Sequence, residues 1–103
     1  MEKLVIHLPR GSLASRSLAK IQRKKIAAIV AVGNVKLHFD FAQVDAISES
    51  YSDELFGVLV LNNGMDKVLN CIRLDNADES TLESIATVIQ RRENDRNNTF
   101  VVI

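Results

Sequence analysis

VKLHFDFAQVDAISESYSDELFGVLVLNNG, residues 35–64, reads as a strand, a short connection and a helix with a marked end. Apolar and polar residues alternate over 35–41, which is the period of a strand. Residues 55–61 are apolar almost all round, so the helix is predicted to be deeply buried or to lie at an interface. Gly64 follows two asparagines and stops the helix, because glycine tolerates the left-handed backbone conformation.

The connection between this strand and this helix contains several polar residues that are candidates for structural roles. Ser50 is predicted to cap the helix, with Asp53 three residues later in a capping-box arrangement. Asp40 stands at the carboxyl end of the strand, where α/β sheets place their ligand crevices. We expect its carboxylate to accept hydrogen bonds from backbone N–H groups of the loop beyond and so to fix the connection 45–50.

Working outward, helices and strands alternate along the whole chain. The predicted elements are strands at 3–8, 35–41, 68–74 and 99–103, and helices at 15–32, at 51–63 and after Asn76. Such alternation is typical of a mainly parallel sheet covered by helices, because parallel strands need helical crossovers. The sequence therefore predicts a single α/β domain over 1–103, with about four mainly parallel strands alternating with three helices.

Size and composition exclude several protein classes. The chain has 103 residues, 47% of them hydrophobic, which suits one compact domain. Its one cysteine, Cys71, rules out a disulfide framework and favours a reducing, cytoplasmic setting. No apolar run is long enough to span a membrane, and the apolar N-terminal stretch is too short for a signal peptide.

Charge is balanced overall but unevenly distributed. Residues 1–36 hold eight basic residues and one acidic one, whereas residues 37–103 hold five basic and twelve acidic ones. The two halves either neutralise each other within the fold or present faces to oppositely charged partners. A basic stripe along the first helix includes Arg16, Lys20, Arg23 and Lys24. Zero net charge and the lack of a recognition-helix pattern argue against nucleic acid and favour a solvated face, then an acidic protein partner.

No set of residues typical of an enzyme stands out. Asp53 and Glu54 are adjacent, so on a helix their carboxylates diverge and do not converge on one substrate. His7, His38 and Asp40 would approach one another if the first two predicted strands were neighbours, but their spacing is not typical of a metal site. Phosphate-binding glycine motifs are absent. The sequence predicts no enzyme, no metal and no cofactor.

Residues 35–60 carry a family resemblance. A strand ending in Phe39-Asp40-Phe41 is followed by Val44, Ile47-Ser48, Ser50-Tyr51 and Asp53-Glu54-Leu55-Phe56-Gly57. This pattern resembles the STAS-like domains of unknown function, which are related to the STAS domains of anti-sigma-factor antagonists. Ser15-Arg16 also stands where that family tends to open its first helix with a Ser-Arg pair, which implies a role for Arg16 in contacting an anion.

The resemblance implies a regulatory switch at the start of the second helix. In the antagonists a serine there is phosphorylated by a partner kinase. Aligning Ile47 with the family's isoleucine places Glu49 at that serine and Ser50 at the next one. Three interpretations stay open: Ser50 is the acceptor, Glu49 is a fixed negative charge that replaces the phosphate, or Ser50 is only a helix cap.

The resulting prediction is a non-enzymatic regulatory module of bacterial type that works by protein–protein contact. By resemblance, its partner is a histidine-kinase-like ATPase of the anti-sigma kind, and a homodimer is also allowed for. The residues assigned to partner contact or switching are Asp45, Ser48, Glu49, Ser50, Tyr51, Asp53 and Glu54. Those assigned to structure are Asp40, Gly57 and Gly64. The alternative is a module that binds a small ligand or a nucleotide.

Overall fold

The chain folds into five strands and four helices over the residues that the structure describes. That structure is a computed structural model, and it describes residues 2–98. In chain order the elements are β1 (Glu2–His7), β2 (Gly11–Leu13), α1 (Arg16–Val32), β3 (Val35–Asp40), β4 (Val44–Ile47), α2 (Glu49–Ser52, Asp53–Gly57 and Val58–Asn63 in one run), α3 (Met65–Cys71), β5 (Ile72–Asp75) and α4 (Glu79–Asn97).

Two separate parallel sheets organise these elements. The larger has the order β1-β3-β5, and the smaller pairs β2 with β4. In the larger sheet Leu37 lies opposite Leu4 on one side and Ile72 on the other. Because side chains alternate along β3, Leu37 and Phe39 are buried in the core while His38 lies on the opposite face.

The α/β class with parallel strands is confirmed, but the expected count of about four strands and three helices is not. Two short strands, β2 and β4, and one short helix, α3, were not predicted. Three- and four-residue strands are too short to show an alternating pattern, so sequence periodicity does not reveal them. The expected strand at 99–103 lies outside the described residues.

The predicted strand at 68–74 is wrong in its first half. Helix α3 runs as far as Cys71, and only then does the chain extend into β5. The buried residues explain the change: Val68 and Cys71 are three apart, the spacing of one helix face. Cys71 is buried and lies at the end of this helix.

Helix α2 crosses the middle of the core. Leu55, Phe56, Leu59 and Val60 are all at most 1% exposed. The Phe56 ring meets the edge of the Phe39 ring at a centroid distance of 5.0 Å. The remaining sides of α2 pack against α1, α3 and α4. The apolar sides of this helix thus find their partners within the chain, as expected for a deeply buried helix.

Among residues 2–98, no helix combines the length and apolar character needed to cross a bilayer.

Candidate functional site

Helix α2 begins two residues earlier than the sequence suggested. The Ser48 Oγ accepts a hydrogen bond from the Tyr51 backbone N–H at 3.1 Å, so Ser48 is the N-cap. The predicted cap at Ser50 is wrong. The reason is tertiary: the Ser48 N–H bonds to the Leu13 carbonyl at 2.8 Å, which ends the β2–β4 ladder and lets the helix start at once.

Three residues of the predicted switch are exposed around this helix start. Asp45 lies on β4, while Glu49 and Ser50 are the first two residues of α2, and all three are exposed to solvent. Glu49 forms an ion pair with Arg91 of α4, although 63% of its side chain remains exposed. This pair raises the pKa of the Arg91 guanidinium. We call residues 45–50 the partner segment.

Tyr51 and Ser52, the next two residues, point inward instead. Both are 0% exposed. The Tyr51 hydroxyl donates a hydrogen bond to Gln22 of α1, and burial raises the pKa of that hydroxyl. The Ser52 hydroxyl lies 3.4 Å from that of Ser84 on α4. Tyr51 therefore joins α2 to α1 and is not available as a surface contact.

Asp53 is the centre of a buried ionic cluster. Arg92 of α4 donates two hydrogen bonds to its carboxylate, from Nε to Oδ1 at 2.8 Å and from Nη2 to Oδ2 at 2.7 Å. Arg16 of α1 adds a third, from Nη1 to Oδ2 at 3.3 Å. The Arg92 hydrogen bonds hold the pKa of Asp53 below its usual value, and only 10% of the carboxyl side chain is exposed. Asp53 thus ties three helices together.

Glu54 extends this cluster toward α1. Its carboxylate lies 3.5 Å from Arg16 Nη1 and 3.7 Å from Arg23 Nη2. Arg23 also donates from Nε to the Glu54 backbone carbonyl at 2.9 Å. The anion that Arg16 contacts is therefore supplied by the chain itself, and Arg23 belongs to this contact more than to a solvated basic stripe.

Asp53 to Gly57 form a single turn of π-helix inside α2. Such turns are rare and are often found at functional sites. Here the turn brings Gly57 against the ion pair: a Cβ on Gly57 would lie 2.5 Å from Asp53 Oδ1 and 3.0 Å from Arg92 Cγ. The absence of a side chain at Gly57 is what makes room for the bidentate contact.

Gly64 ends α2 as the sequence indicated. Its φ of +87° is the left-handed region, and its N–H bonds to the Val60 carbonyl at 2.7 Å. The Arg96 side chain packs over it and donates to the Leu61 carbonyl at 3.0 Å.

Asp40 fixes the turn after β3. Its Oδ1 accepts the predicted backbone hydrogen bond, from the Ala42 N–H at 2.9 Å, and a second from the Asn76 amide at 2.9 Å. The Asn76 hydrogen bond is the main reason that the pKa of Asp40 is lowered. The Asp40 carboxylate thus bonds to the turn after β3 and to the loop after β5, and not directly to the partner segment.

The two histidines lie on neighbouring strands, but each pairs with a different carboxylate. His7 Nδ1 lies 3.0 Å from Asp40 Oδ2, whereas His38 Nδ1 lies 3.2 Å from Asp75 Oδ2. Across residues 2–98, no three His, Cys, Asp or Glu side chains are grouped so that they could hold a metal ion.

Three residues that contact α2 from distant elements were missed by the sequence interpretation. Arg91, Arg92 and Gln22 face α2 from elements at least 29 positions away in the chain. The only available signal was charge balance, since the acidic middle of the chain needs basic partners from its two ends. With its carboxylates held by arginines, the cluster is suited to joining helices and not to proton transfer.

A comparison with protein families matches more than half of the chain. A family model described as "STAS-like domain of unknown function (DUF4325)" matches residues 19–82, which include all of α2 and the partner segment. No curated protein and no solved structure matches the chain. Because the matched residues make up more than half of the sequence, the chain belongs to the family of STAS-like domains of unknown function.

Proposed function

We propose that this protein is a non-enzymatic interaction module that binds a regulatory protein through its partner segment. The observation that carries the proposal is the division of the stretch that carries the family resemblance, residues 35–60, into a buried and an exposed part. Tyr51, Asp53 and Phe56 are buried in contacts within the chain, whereas Asp45, Glu49 and Ser50 are exposed. Exposed polar residues held on a rigid helix start are suited to recognition, while the buried part holds them in place.

The chemistry of the partner segment favours a basic surface opposite it. Asp45 contributes an exposed negative charge, and Glu49 keeps 63% of its side chain exposed beside its ion pair with Arg91. Ser50 is accessible at the N-terminal end of α2. By the family's relation to anti-sigma-factor antagonists, we propose a histidine-kinase-like ATPase as the partner. Glu49 then supplies permanently a charge that phosphorylation of a serine would supply on demand, since phosphate adds about −1.5 to −2 charges at neutral pH.

The test is binding to the purified histidine-kinase-like ATPases of the source organism, measured by isothermal titration calorimetry. Glu49→Ser and Ser50→Asp are compared with matched controls at the equivalent positions of α4, Glu79→Ser and Ser80→Asp, which are also its first two residues. We expect the α2 variants to change affinity about tenfold and the α4 variants to leave it unchanged. Equal affinities for all five proteins, or no binding by wild type, would contradict the proposal.

A second function is favoured by one apolar groove. It lies between α3, β5 and α4, with a volume of about 420 Å³, within the range of small-molecule pockets. Its walls are made by Met65, Leu69, Ile72, Leu74, Leu82, Ile85, Ala86, Ile89 and Gln90. The groove offers few polar groups, so an apolar small molecule suits it better than a nucleotide.

Thermal unfolding in the presence of apolar small molecules and of ATP or GTP distinguishes the two functions. A ligand present at 100 times its Kd stabilises the folded state by about 2.7 kcal/mol. Stabilisation of wild type that disappears in Leu82→Glu would favour the groove. No stabilisation by any of these compounds would leave the interaction module as the better proposal.

A further inference from the structure

Helix α1 exposes a narrow apolar strip. Leu18, Ile21 and Val32 are 40%, 54% and 69% exposed, and Ala28 is exposed with them. Together with Lys25 these residues follow the spacing 3, 4, 3 and 4, which is the seam of a coiled coil. We call Leu18, Ile21, Lys25, Ala28 and Val32 the α1 seam. The opposite face of α1 is already buried in the domain, through Ala19, Ile26 and Val30.

A basic strip runs beside the α1 seam. Arg16, Lys20 and Lys24 are spaced four residues apart, so they lie along one line of the helix surface. Arg16 is engaged by Asp53, but both lysines are exposed. At about 100° per residue, this line comes close to the seam at Lys24 and diverges from it toward Arg16. The solvent-facing half of α1 is therefore itself amphipathic, with an apolar line next to a positive one.

We propose that the α1 seam docks an amphipathic helix of a partner protein whose flanking residues are acidic. A seam of this period receives side chains from a facing helix, and Lys24 occupies the flanking position where coiled coils place interhelical ion pairs. Lys25 within the seam favours an acidic or polar residue opposite it on the partner helix. The α1 seam shares no residue with the partner segment, so this proposal can be tested independently of the proposed function.

Lys25 also argues against a second copy of the chain as the occupant. It is the central residue of the α1 seam, so antiparallel pairing of two seams about a two-fold axis would bring the two Lys25 side chains together. Like charges in such a position disfavour the pair. An anionic membrane is the less suitable occupant, because the seam is narrow and contains no aromatic residue.

The first experiment uses a synthetic three-heptad helical peptide with leucine at its seam positions and glutamate on both flanks. Its fluorescence anisotropy is followed as the full chain is added, and the same peptide with lysine flanks is the sign control. We expect the glutamate peptide to bind at least about tenfold more tightly than the lysine peptide. Ile21→Asp and Lys24→Glu should each weaken binding by about tenfold.

Matched controls separate the seam from general surface effects. Val5→Asp changes an apolar residue of β1 that is 44% exposed, and Lys67→Glu changes an exposed lysine of α3. Both should bind the glutamate peptide like wild type, with circular dichroism confirming that every variant is folded. Equal binding of the two peptides, or no effect of Ile21→Asp, would overturn the proposal.

The second experiment tests the α1 seam in the absence of a partner, through the oligomeric state of the chain. Lys25→Leu makes the seam apolar throughout, so light scattering after size exclusion should show a dimer, and adding Ile21→Asp should restore the monomer. Two outcomes would overturn the proposal. One is a wild-type dimer that Ile21→Asp dissociates, which would assign the seam to a second copy. The other is binding to phosphatidylserine vesicles that Ile21→Asp abolishes, which would assign it to a membrane.

Discussion

At the residue scale, two serines in the first turn of α2 have different duties. Ser48 caps the helix through its Oγ, whereas Ser50 is exposed. We expect Ser48→Ala to lower the free energy of unfolding by about 1 kcal/mol, because the Tyr51 N–H loses its acceptor. Ser50→Ala should change it by less than about 0.5 kcal/mol. Urea denaturation of both variants checks this, and equal losses would mean that Ser48 is not the cap.

Gly57 illustrates how one missing side chain permits an ion pair. Alanine is normally the better helix former by about 1 kcal/mol. Here its Cβ would lie 2.5 Å from Asp53 Oδ1, so we expect Gly57→Ala to destabilise the fold by about 1–3 kcal/mol. The control is the same substitution in an Asp53→Ala background, where the clash with Oδ1 is gone and the cost should fall sharply. Identical costs in both backgrounds would show that the ion pair is not the reason for glycine.

At the element scale, α2 is attached to the sheet through aromatic contacts. Phe56 meets Phe39 edge-on at 5.0 Å and stacks on Phe41 at 6.5 Å. Phe56→Leu keeps most of the apolar volume but loses both ring contacts, so we expect a loss of about 1–2 kcal/mol. Val58→Ala, at a half-buried position of the same helix, is the comparison and should cost less. A larger loss for Val58→Ala would place the main attachment of α2 elsewhere.

At the scale of the whole molecule, the ionic cluster makes stability depend on pH. The pKa of Asp53 is depressed in the folded state by the Arg92 hydrogen bonds. Its contribution is therefore complete above the unfolded value of about 3.9 and is lost as the pH falls through the lower folded value. The pKa values of Asp40 and Asp78 are lowered as well, so they act in the same direction.

The variant Asp53→Asn isolates the cluster from those other carboxylates. We expect it to lose about 2 kcal/mol at neutral pH, because Arg92 loses its charged acceptor. Below about pH 4 the difference from wild type should shrink, because Asp53 of the unfolded wild-type chain takes up a proton first and Asp53 of the folded chain follows at its lower pKa. Urea denaturation at several pH values measures both curves. Parallel curves down to pH 2 would show that Asp53 does not contribute to the acid sensitivity.

Local sequence determined the elements whose signals lie within a few residues. Alternation over 35–41 predicted β3, and Gly64 predicted the end of α2, because period and left-handed glycine are properties of the chain itself. The family resemblance was likewise carried by a contiguous stretch, and the family match covers it. These features needed no knowledge of what packs where.

The tertiary structure alone decided which residues of that stretch are exposed to solvent and which are buried. Ile47 ends a strand because β4 pairs with β2, and this pairing moves the helix cap to Ser48. Residues 68–71 become helical because Val68 and Cys71 can then face the same core. Asp53 meets arginines 37 and 39 positions away and is removed from the surface. Pairing and burial depend on partners distant in the chain, and no local pattern records where those partners will be.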